Sequence, residues 1–211
     1  MTTVFFVRHA EADNINSDGR NRPLTEKGMN DRALVTEFLQ NKNIDAIFSS
    51  PYKRAVDTVA DFAEKHDFTI ELIEDFREHY IGAWRKHNVG SWITDFGDLI
   101  SVYEKQWADF SYKYPGGESL AEVQGRNISA LNDLLSRYKD KNIVIGTHGA
   151  ALSTIINYFD KTYVCENFMA IIDLTPWIVR MDFNENGCIG MVKIDLFQPD
   201  QSHVSVTNDA R

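Results

Sequence analysis

Short apolar runs alternate with helix-like stretches along most of this 211-residue chain. Each run is rich in β-branched or aromatic residues, and the first stops abruptly at Arg8, which is typical of strands buried on both faces of a sheet. Strands are predicted at residues 3–7, 44–48, 68–73, 142–146 and 168–174. Their alternation with helices predicts an α/β fold with a mainly parallel, doubly wound sheet and helices on both of its faces.

The intervening stretches carry signals for the start of helices. Thr25 is expected to cap a helix that runs to about residue 41, and Ser50 with Pro51 is expected to begin the next one. Two more helices are predicted, at residues 119–139 and 148–158. Near the end of the chain, the polar residues 184–187 separate two alternating runs, which predicts a C-terminal antiparallel hairpin.

Residues 79–116 interrupt this alternation and are crowded with aromatic side chains. We expect them to form a helical lid insertion within a single domain that spans residues 1–211. The aromatic residues are interpreted as the core of the lid and not as a base-stacking platform, because basic residues are not interleaved with them. The tail after Pro199 is polar and is expected to be loose.

Composition excludes several classes of partner. The formal net charge of −9 argues against a general nucleic-acid or acidic-membrane binder, since both need a basic surface. No stretch approaches the ~20 apolar residues of a membrane span. The two cysteines form no CxxC pair and no zinc-ligand spacing. No cofactor is expected. The N-terminal apolar run is too short for a signal peptide, and a cytoplasmic location is expected.

Charged residues follow the predicted strands at the points where the strands end. They are Arg8 and His9 after the first strand, Arg54 after the second, Glu78 after the third, and His148 with Gly149 after the fourth. Because ligands bind beyond the carboxyl ends of parallel strands, we expect these residues to share one edge of the sheet. Each one alone would more often be a surface or capping residue, and it is their joint placement that favours a site.

The set of residue types suits the transfer of a phosphoryl group. Arginine forks and the amides at helix N-termini after Ser50 and His148 can hold phosphate oxygens. A neutral His9 imidazole can attack phosphorus, and the neighbouring Arg8 would discourage its protonation. A protonated Glu78 can donate a proton to the leaving group and can later deprotonate a water molecule.

Six segments, in their order along the chain, carry a resemblance to a known family. They are residues 7–12 (VRHAEA), 22–28 (RPLTEKG), 49–58 (SSPYKRAVDT), 78–84 (EHYIGAW), 117–120 (GESL) and 146–149 (GTHG). Together they resemble the histidine phosphatase superfamily, also called the phosphoglycerate mutase-like family, over about residues 4–155. Arg8-His9 by itself would not be specific.

The resemblance implies a phosphohistidine nucleophile at His9 and a proton donor at Glu78. It implies that Arg8, Arg54 and His148 complete the phosphate pocket, with Gly149 beside them, and that no metal takes part. Three departures from the family pattern stand out. Ala10 replaces a glycine, Ile15 lies between Asn14 and Asn16 where many relatives carry one asparagine, and Arg85-Lys86 replaces an acidic-glycine continuation.

A phosphatase is favoured over a mutase. True mutases resemble one another in a long insertion with adjacent arginines, and residues 85–117 contain no such pair. The sequence therefore predicts a metal-independent phosphomonoester phosphatase acting on a small phosphorylated substrate. Two alternatives stay open: a cofactor-dependent phosphoglycerate mutase, and a non-catalytic phosphate-binding or interaction module. A homodimer through the hairpin or an edge strand also stays open.

Overall fold

The computed structural model describes residues 1–16, 18–82, 96–198 and 203–205. Within them, seven strands form one sheet in the order β3-β2-β4-β1-β5-β6-β7. The strands are β1 (Thr2–Arg8), β2 (Ala46–Ser49), β3 (Ile70–Leu72), β4 (Asn142–Thr147), β5 (Trp177–Asn184), β6 (Gly187–Ile194) and β7 (His203–Ser205).

The sheet has a parallel half and an antiparallel half that meet at β1. Strands β3, β2, β4 and β1 run parallel to one another, whereas β5 pairs antiparallel with β1 and begins the hairpin with β6. The predicted α/β class and the predicted hairpin are confirmed. The antiparallel half is larger than expected, because β7 also pairs with β6. The prediction of a loose tail is therefore wrong for residues 203–205.

Helices cover both faces of the sheet. They are α1 (Glu26–Leu39), α2 (Lys53–Lys65), α3 (Phe96–Ala108), α4 (Leu120–Arg137), α5 (Gly149–Phe159) and α6 (Cys165–Ala170). Helices α1 and α2 pack on one face with Phe5 and Val7, and the other helices pack on the opposite face with Val4 and Phe6. This alternation along β1 is the burial on both faces that the apolar run predicts.

Local capping explains where two helices begin. Thr25 caps α1 by accepting a hydrogen bond from the Gly28 amide at 3.0 Å, as predicted. A Cβ at Gly28 would lie 2.1 Å from the backbone oxygen of Glu11, so only glycine permits α1 to lie this close to the loop after β1. Helix α4 begins with a capping box between Ser119 and Glu122.

Two predictions about local structure are wrong. Residues 168–174 form no strand, because helix α6 and a turn take their place. The edge of β1 that such a strand would need is occupied by β5, and a short apolar run fits a buried helix equally well. Helix α2 begins at Lys53, and its N-cap residue is Tyr52. The prediction that Ser50 caps this helix is therefore wrong. Ser50 lies before the helix, where its hydroxyl contacts the Tyr52 amide and the His148 ring.

Within the predicted insertion the structure describes residues 79–82 and 96–116, and α3 is the helix that it contains there. Residues 83–95, which include Arg85 and Lys86, lie outside the described residues. Helix α3 packs on α6 through aromatic pairs, with the rings of Tyr103 and Phe168 4.6 Å apart and those of Trp107 and Phe168 6.1 Å apart. Its aromatic side chains thus contribute to the core on this face of the sheet, where the sequence predicts the core of a lid.

Candidate active site

The register of the sheet brings the ends of three strands together. Arg8 is paired with Thr147, and Ser49 is paired with Gly146, so the strands β1, β4 and β2 end at nearly the same level. The next residues continue the pattern: the His9 amide donates to Thr147 at 3.1 Å, and the Ser50 amide donates to Gly146 at 2.8 Å. His9, Ser50 and His148 therefore leave the sheet side by side.

The His9 ring is fixed by a backbone contact. Its Nδ1 lies 2.7 Å from the carbonyl oxygen of Ala10. A carbonyl can only accept, so Nδ1 carries the proton and Nε2 of the neutral ring keeps its lone pair. Ala10 is fixed in turn, because its amide donates to Thr58 Oγ1 at 2.9 Å, and that hydroxyl donates to the carbonyl of Arg54 at 2.7 Å.

Both histidines of the site are held neutral. Burial lowers the pKa of His9 well below its ordinary value, and the positive charges of Arg54 and Arg8 lower it further. The pKa of His148 is also well below its ordinary value, because of burial and then of Arg54 and His9. The two ring centroids are 5.3 Å apart. Arg8 does disfavour protonation of His9 as the sequence suggests, but burial is the larger cause.

His148 makes its contact through Ser50. The buried His148 Nε2 lies 2.7 Å from Ser50 Oγ, which also accepts a hydrogen bond from the Tyr52 amide at 3.2 Å. The Ser50 hydroxyl proton can then be donated to Nε2, which leaves the His148 proton on Nδ1. Nδ1 has no hydrogen-bond partner within the described part of the chain. His148 is the N-cap residue of α5, but its side chain does not cap the helix.

Arg8 and Arg54 are buried and are partly engaged by backbone carbonyls. Arg8 donates to Ile171, to Ile172 at 2.8 Å and to Leu174 at 3.3 Å, all in the turn after α6. Arg54 donates from Nη1 to Gly19 at 2.6 Å. Among the residues that the structure describes, the Nε atoms of both arginines have no partner. Burial lowers the pKa of Arg54 to about 10, so its guanidinium still carries a charge at neutral pH.

Gly149 lets a guanidinium come close to helix α5. A Cβ at this position would lie 3.2 Å from Cζ of Arg8 and 3.3 Å from its Nε and Nη2. Because Gly149 has no side chain, it permits the Arg8 guanidinium to lie this close to the helix.

Glu78 lies over the N-terminus of helix α5. Its Oε1 accepts the Ala151 amide at 3.1 Å and its Oε2 accepts the Ala150 amide at 3.3 Å. The carboxylate interacts electrostatically with Arg8 and Arg54. The sequence led us to expect that the amides of this helix end would face a phosphate, but two of them donate to Glu78.

Several residues of the site were not assigned from the sequence. The ring of Tyr52 lies 5.1 Å from the His148 ring and 5.1 Å from the Arg54 guanidinium. Arg22 adds positive charge near His9 and donates to Asn14 Oδ1 at 3.0 Å. Arg22 was visible in the sequence as part of a family segment, but nothing in the pattern gave it a role.

The two asparagines that flank Ile15 differ in their contacts. Asn14 accepts a hydrogen bond from Arg22, whose positive charge lies near His9. Asn16 Oδ1 instead accepts the Asp18 amide at 2.9 Å within its own loop. Within the described ranges, no group of three or more histidine, cysteine or acidic side chains is arranged to hold a metal ion. Nor does any helix there have the length and apolar character needed to cross a membrane.

The chain is similar to known proteins over most of its length. A sequence profile of the histidine phosphatase superfamily (branch 1) matches residues 4–189. Phosphoserine phosphatase 1 of Hydrogenobacter thermophilus is 29% identical over 157 residues, which cover 70% of this chain and 71% of that protein.

Solved structures share the fold. YhfR of Bacillus stearothermophilus superposes with a TM-score of 0.72 at 22% identity and covers 100% of this chain and 98% of its own. A variant of phosphoserine phosphatase from Entamoeba histolytica, in complex with phosphoserine, superposes with a TM-score of 0.66 at 25% identity. That match covers 90% of this chain and 94% of the other.

Proposed function

Since the chain belongs to the histidine phosphatase superfamily (branch 1), we propose that it is a metal-independent phosphomonoester phosphatase that acts through a phosphohistidine on His9. One observation carries the proposal. The hydrogen bond from His9 Nδ1 to Ala10 leaves the lone pair on Nε2, and burial with neighbouring positive charge keeps the ring neutral. A neutral imidazole held among arginines is a nucleophile prepared for a phosphoryl group.

In the first step, the phosphoryl oxygens take hydrogen bonds from Arg8 Nε, Arg54 Nε and His148 Nδ1, three buried donors of the site that have no partner among the described residues. His9 Nε2 attacks phosphorus, so the P–N bond forms while the ester P–O bond breaks. Glu78 donates its proton to the departing oxygen, which leaves as an alcohol. The guanidinium charges stabilise the charge that develops on the phosphoryl oxygens.

In the second step, a water molecule attacks the phosphohistidine. Glu78, now a carboxylate, accepts a proton from that water. The P–N bond breaks, its electron pair returns to Nε2, and inorganic phosphate leaves the site. His9 is again neutral, and Glu78 is again protonated, so the cycle closes with no change in the protein.

A small phosphorylated metabolite is the proposed substrate, and phosphoserine is the first candidate. The name of the Hydrogenobacter relative and the ligand of the Entamoeba structure support this choice. The alternative of a non-catalytic module is disfavoured because the nucleophile, the buried cations and the carboxylate converge on one site. The preference for hydrolysis over phosphoglycerate mutation rests on the sequence of the insertion.

The test is the hydrolysis of p-nitrophenyl phosphate in the presence of EDTA by the wild type and by His9→Ala. The control is His66→Ala, which removes an exposed histidine at the end of α2. The proposal requires activity that survives the chelator, persists in the control and is lost in His9→Ala. Phosphoserine and phosphoglycerate are then compared as substrates. Full activity in folded His9→Ala would refute the phosphohistidine mechanism.

A further inference from the structure

We propose that Arg126 is a positioning residue that, together with Glu118, fixes the backbone on both sides of Glu78 and so sets the place of the proton donor. The inference rests on the proposed function, because it presupposes that Glu78 is the general acid. Arg126 does not touch the reacting atoms in this account. It acts through the segment of residues 75–80, which is called the acid-bearing segment below.

Arg126 reaches this segment from the middle of helix α4. Its side chain is only 10% exposed. Its Nη1 donates to the carbonyl of Asp75 at 2.6 Å and to that of Arg77 at 2.8 Å, and its Nη2 donates to the carbonyl of Glu78 at 3.3 Å. One guanidinium thus holds three carbonyls of a segment that has no strand partner to hold it at these positions.

Glu118 completes the arrangement from the other side. It receives a fork from Arg126, with Nε to Oε1 at 2.8 Å and Nη2 to Oε2 at 3.1 Å. Its carboxylate also accepts Arg77 Nη2 at 2.5 Å and the Tyr80 amide at 3.2 Å. Burial would raise the pKa of Glu118, but the hydrogen bond and charge of Arg126 hold that pKa below its ordinary value. Glu118 therefore stays ionised at neutral pH.

The placement of Glu78 is sensitive to this support. Its carboxyl group accepts the amides of Ala151 and Ala150 in α5 at 3.1 and 3.3 Å, and the amide of His79 in the acid-bearing segment itself at 2.9 Å. The shortest of these hydrogen bonds therefore moves with the segment, and the two longer ones are at the long end of a hydrogen bond. A general acid works only within hydrogen-bond reach of the leaving oxygen. A small displacement of the acid-bearing segment would therefore weaken proton donation while the cations around His9 kept their positions.

A purely structural role for Arg126 makes a different prediction. If the residue only stabilised the fold, its loss would lower activity on every substrate alike. If it positions the acid, the loss must grow as the leaving group becomes a poorer one, because a good leaving group departs without a proton. The dependence of kcat/KM on the leaving group separates the two roles.

The experiment compares 2,4-dinitrophenyl, p-nitrophenyl and phenyl phosphate, and uses kcat/KM because it reports the phosphorylation of His9. The variants are Arg126→Lys, Glu118→Gln and Glu78→Gln. Arg137→Gln is the matched control, since it removes an arginine of the same helix whose ion pairs with Glu71 and Asp133 are exposed. Thermal unfolding identifies the variants that are folded at the assay temperature.

We expect kcat/KM of Arg126→Lys to fall about 10- to 100-fold with phenyl phosphate and less than about threefold with 2,4-dinitrophenyl phosphate. Lysine keeps the charge but has no planar fork to span the carbonyls. Glu118→Gln should show the same trend, and Glu78→Gln a steeper one. Inhibition by inorganic phosphate should change less than about twofold, because the cations around His9 are untouched.

Two outcomes would contradict the inference, and the experiment distinguishes them. An equal loss on all three substrates in Arg126→Lys and Glu118→Gln, beside a steep trend in Glu78→Gln, would overturn the positioning role and leave the proposed function intact. A flat trend in Glu78→Gln would refute the acid role in the proposed function, and the inference would fall with it.

Discussion

The proposed phosphate-binding floor of the site and the acid-bearing segment are held by different kinds of structure. The floor, formed by Arg8, His9, Arg54 and His148, follows the ends of β1, β2 and β4, whose register fixes it through backbone ladders. Residues 75–80 lie outside the sheet and are held by the side chains of Arg126 and Glu118, with one backbone hydrogen bond from the Glu118 amide to the Tyr80 carbonyl. In the proposed mechanism, binding of phosphate therefore depends on the sheet, and proton donation depends mainly on a side-chain network.

Arg54→Lys should have the largest effect in this comparison. Arg54 belongs to the floor, so its loss should lower kcat/KM by about 10²- to 10³-fold, and by the same factor for good and poor leaving groups. A lysine of equal charge cannot supply the planar donors. The measurement is kcat/KM for the three aryl phosphates. A loss confined to poor leaving groups would show that the floor and the acid-bearing segment do not act separately.

Ser50→Ala should have a smaller effect of the same uniform kind. It removes the hydroxyl that fixes His148 Nε2 and leaves a buried ring nitrogen without that partner, at a cost of about 1–3 kcal/mol. We expect kcat/KM to fall about tenfold for every leaving group. The control is Ser136→Ala, whose hydroxyl is exposed on α4. Wild-type activity in Ser50→Ala would show that the Ser50–His148 contact does not matter.

The pH dependence of kcat/KM should report how the positive charge of Arg54 affects the pKa of His9. The pKa of His9 lies well below its ordinary value, so the neutral nucleophile persists below about pH 6.5. The fall in kcat/KM that protonation of His9 causes should therefore occur on the acidic side of that value. In Arg54→Gln the repulsive charge is absent, so the pKa of His9 should rise and this fall should move to higher pH. An unmoved profile would contradict the assigned cause.

The same histidines should make the fold sensitive to acid. Their folded-state pKa values lie below the unfolded value of about 6.5, so the unfolded chain binds more protons as the pH falls. Stability is fully present above that pH and is lost as the pH decreases below it, by at most about 1.4 kcal/mol per pH unit and histidine. Urea unfolding of His148→Asn should show a shallower loss than the wild type, and exposed His66→Asn should not.

The sequence predicts the floor of the site better than it predicts the support of the acid-bearing segment. Strand ends with polar residues locate the floor, because parallel strands bring those ends to one edge. The family and the α/β class are confirmed. Residues 168–174 were wrongly predicted as a strand, since an apolar run does not show which edge of the sheet is free. The turn there supplies carbonyls to Arg8, and the contacting residues are separated by 163 to 166 positions in the sequence.

The support of the acid was not predicted for a related reason. Arg126 looks like an ordinary polar residue of an amphipathic helix, and the three carbonyls that it holds lie 48 to 51 residues away in the chain. Such contacts depend on how α4 packs against the irregular segment, which no local pattern specifies. The roles of His9, Glu78 and the other site residues stay proposals, and a homodimer stays a prediction from the sequence.

The most direct test is to trap the covalent intermediate. Glu78→Gln is mixed with 2,4-dinitrophenyl phosphate, which needs no proton donor to phosphorylate the enzyme but leaves hydrolysis of the intermediate without its base. The reaction is stopped in alkali, which preserves phosphohistidine, and the phosphate is located by mass spectrometry. The account predicts one phosphoryl group on His9, absent from His9→Ala; turnover with no phosphate on His9, or with phosphate on another residue, would contradict it.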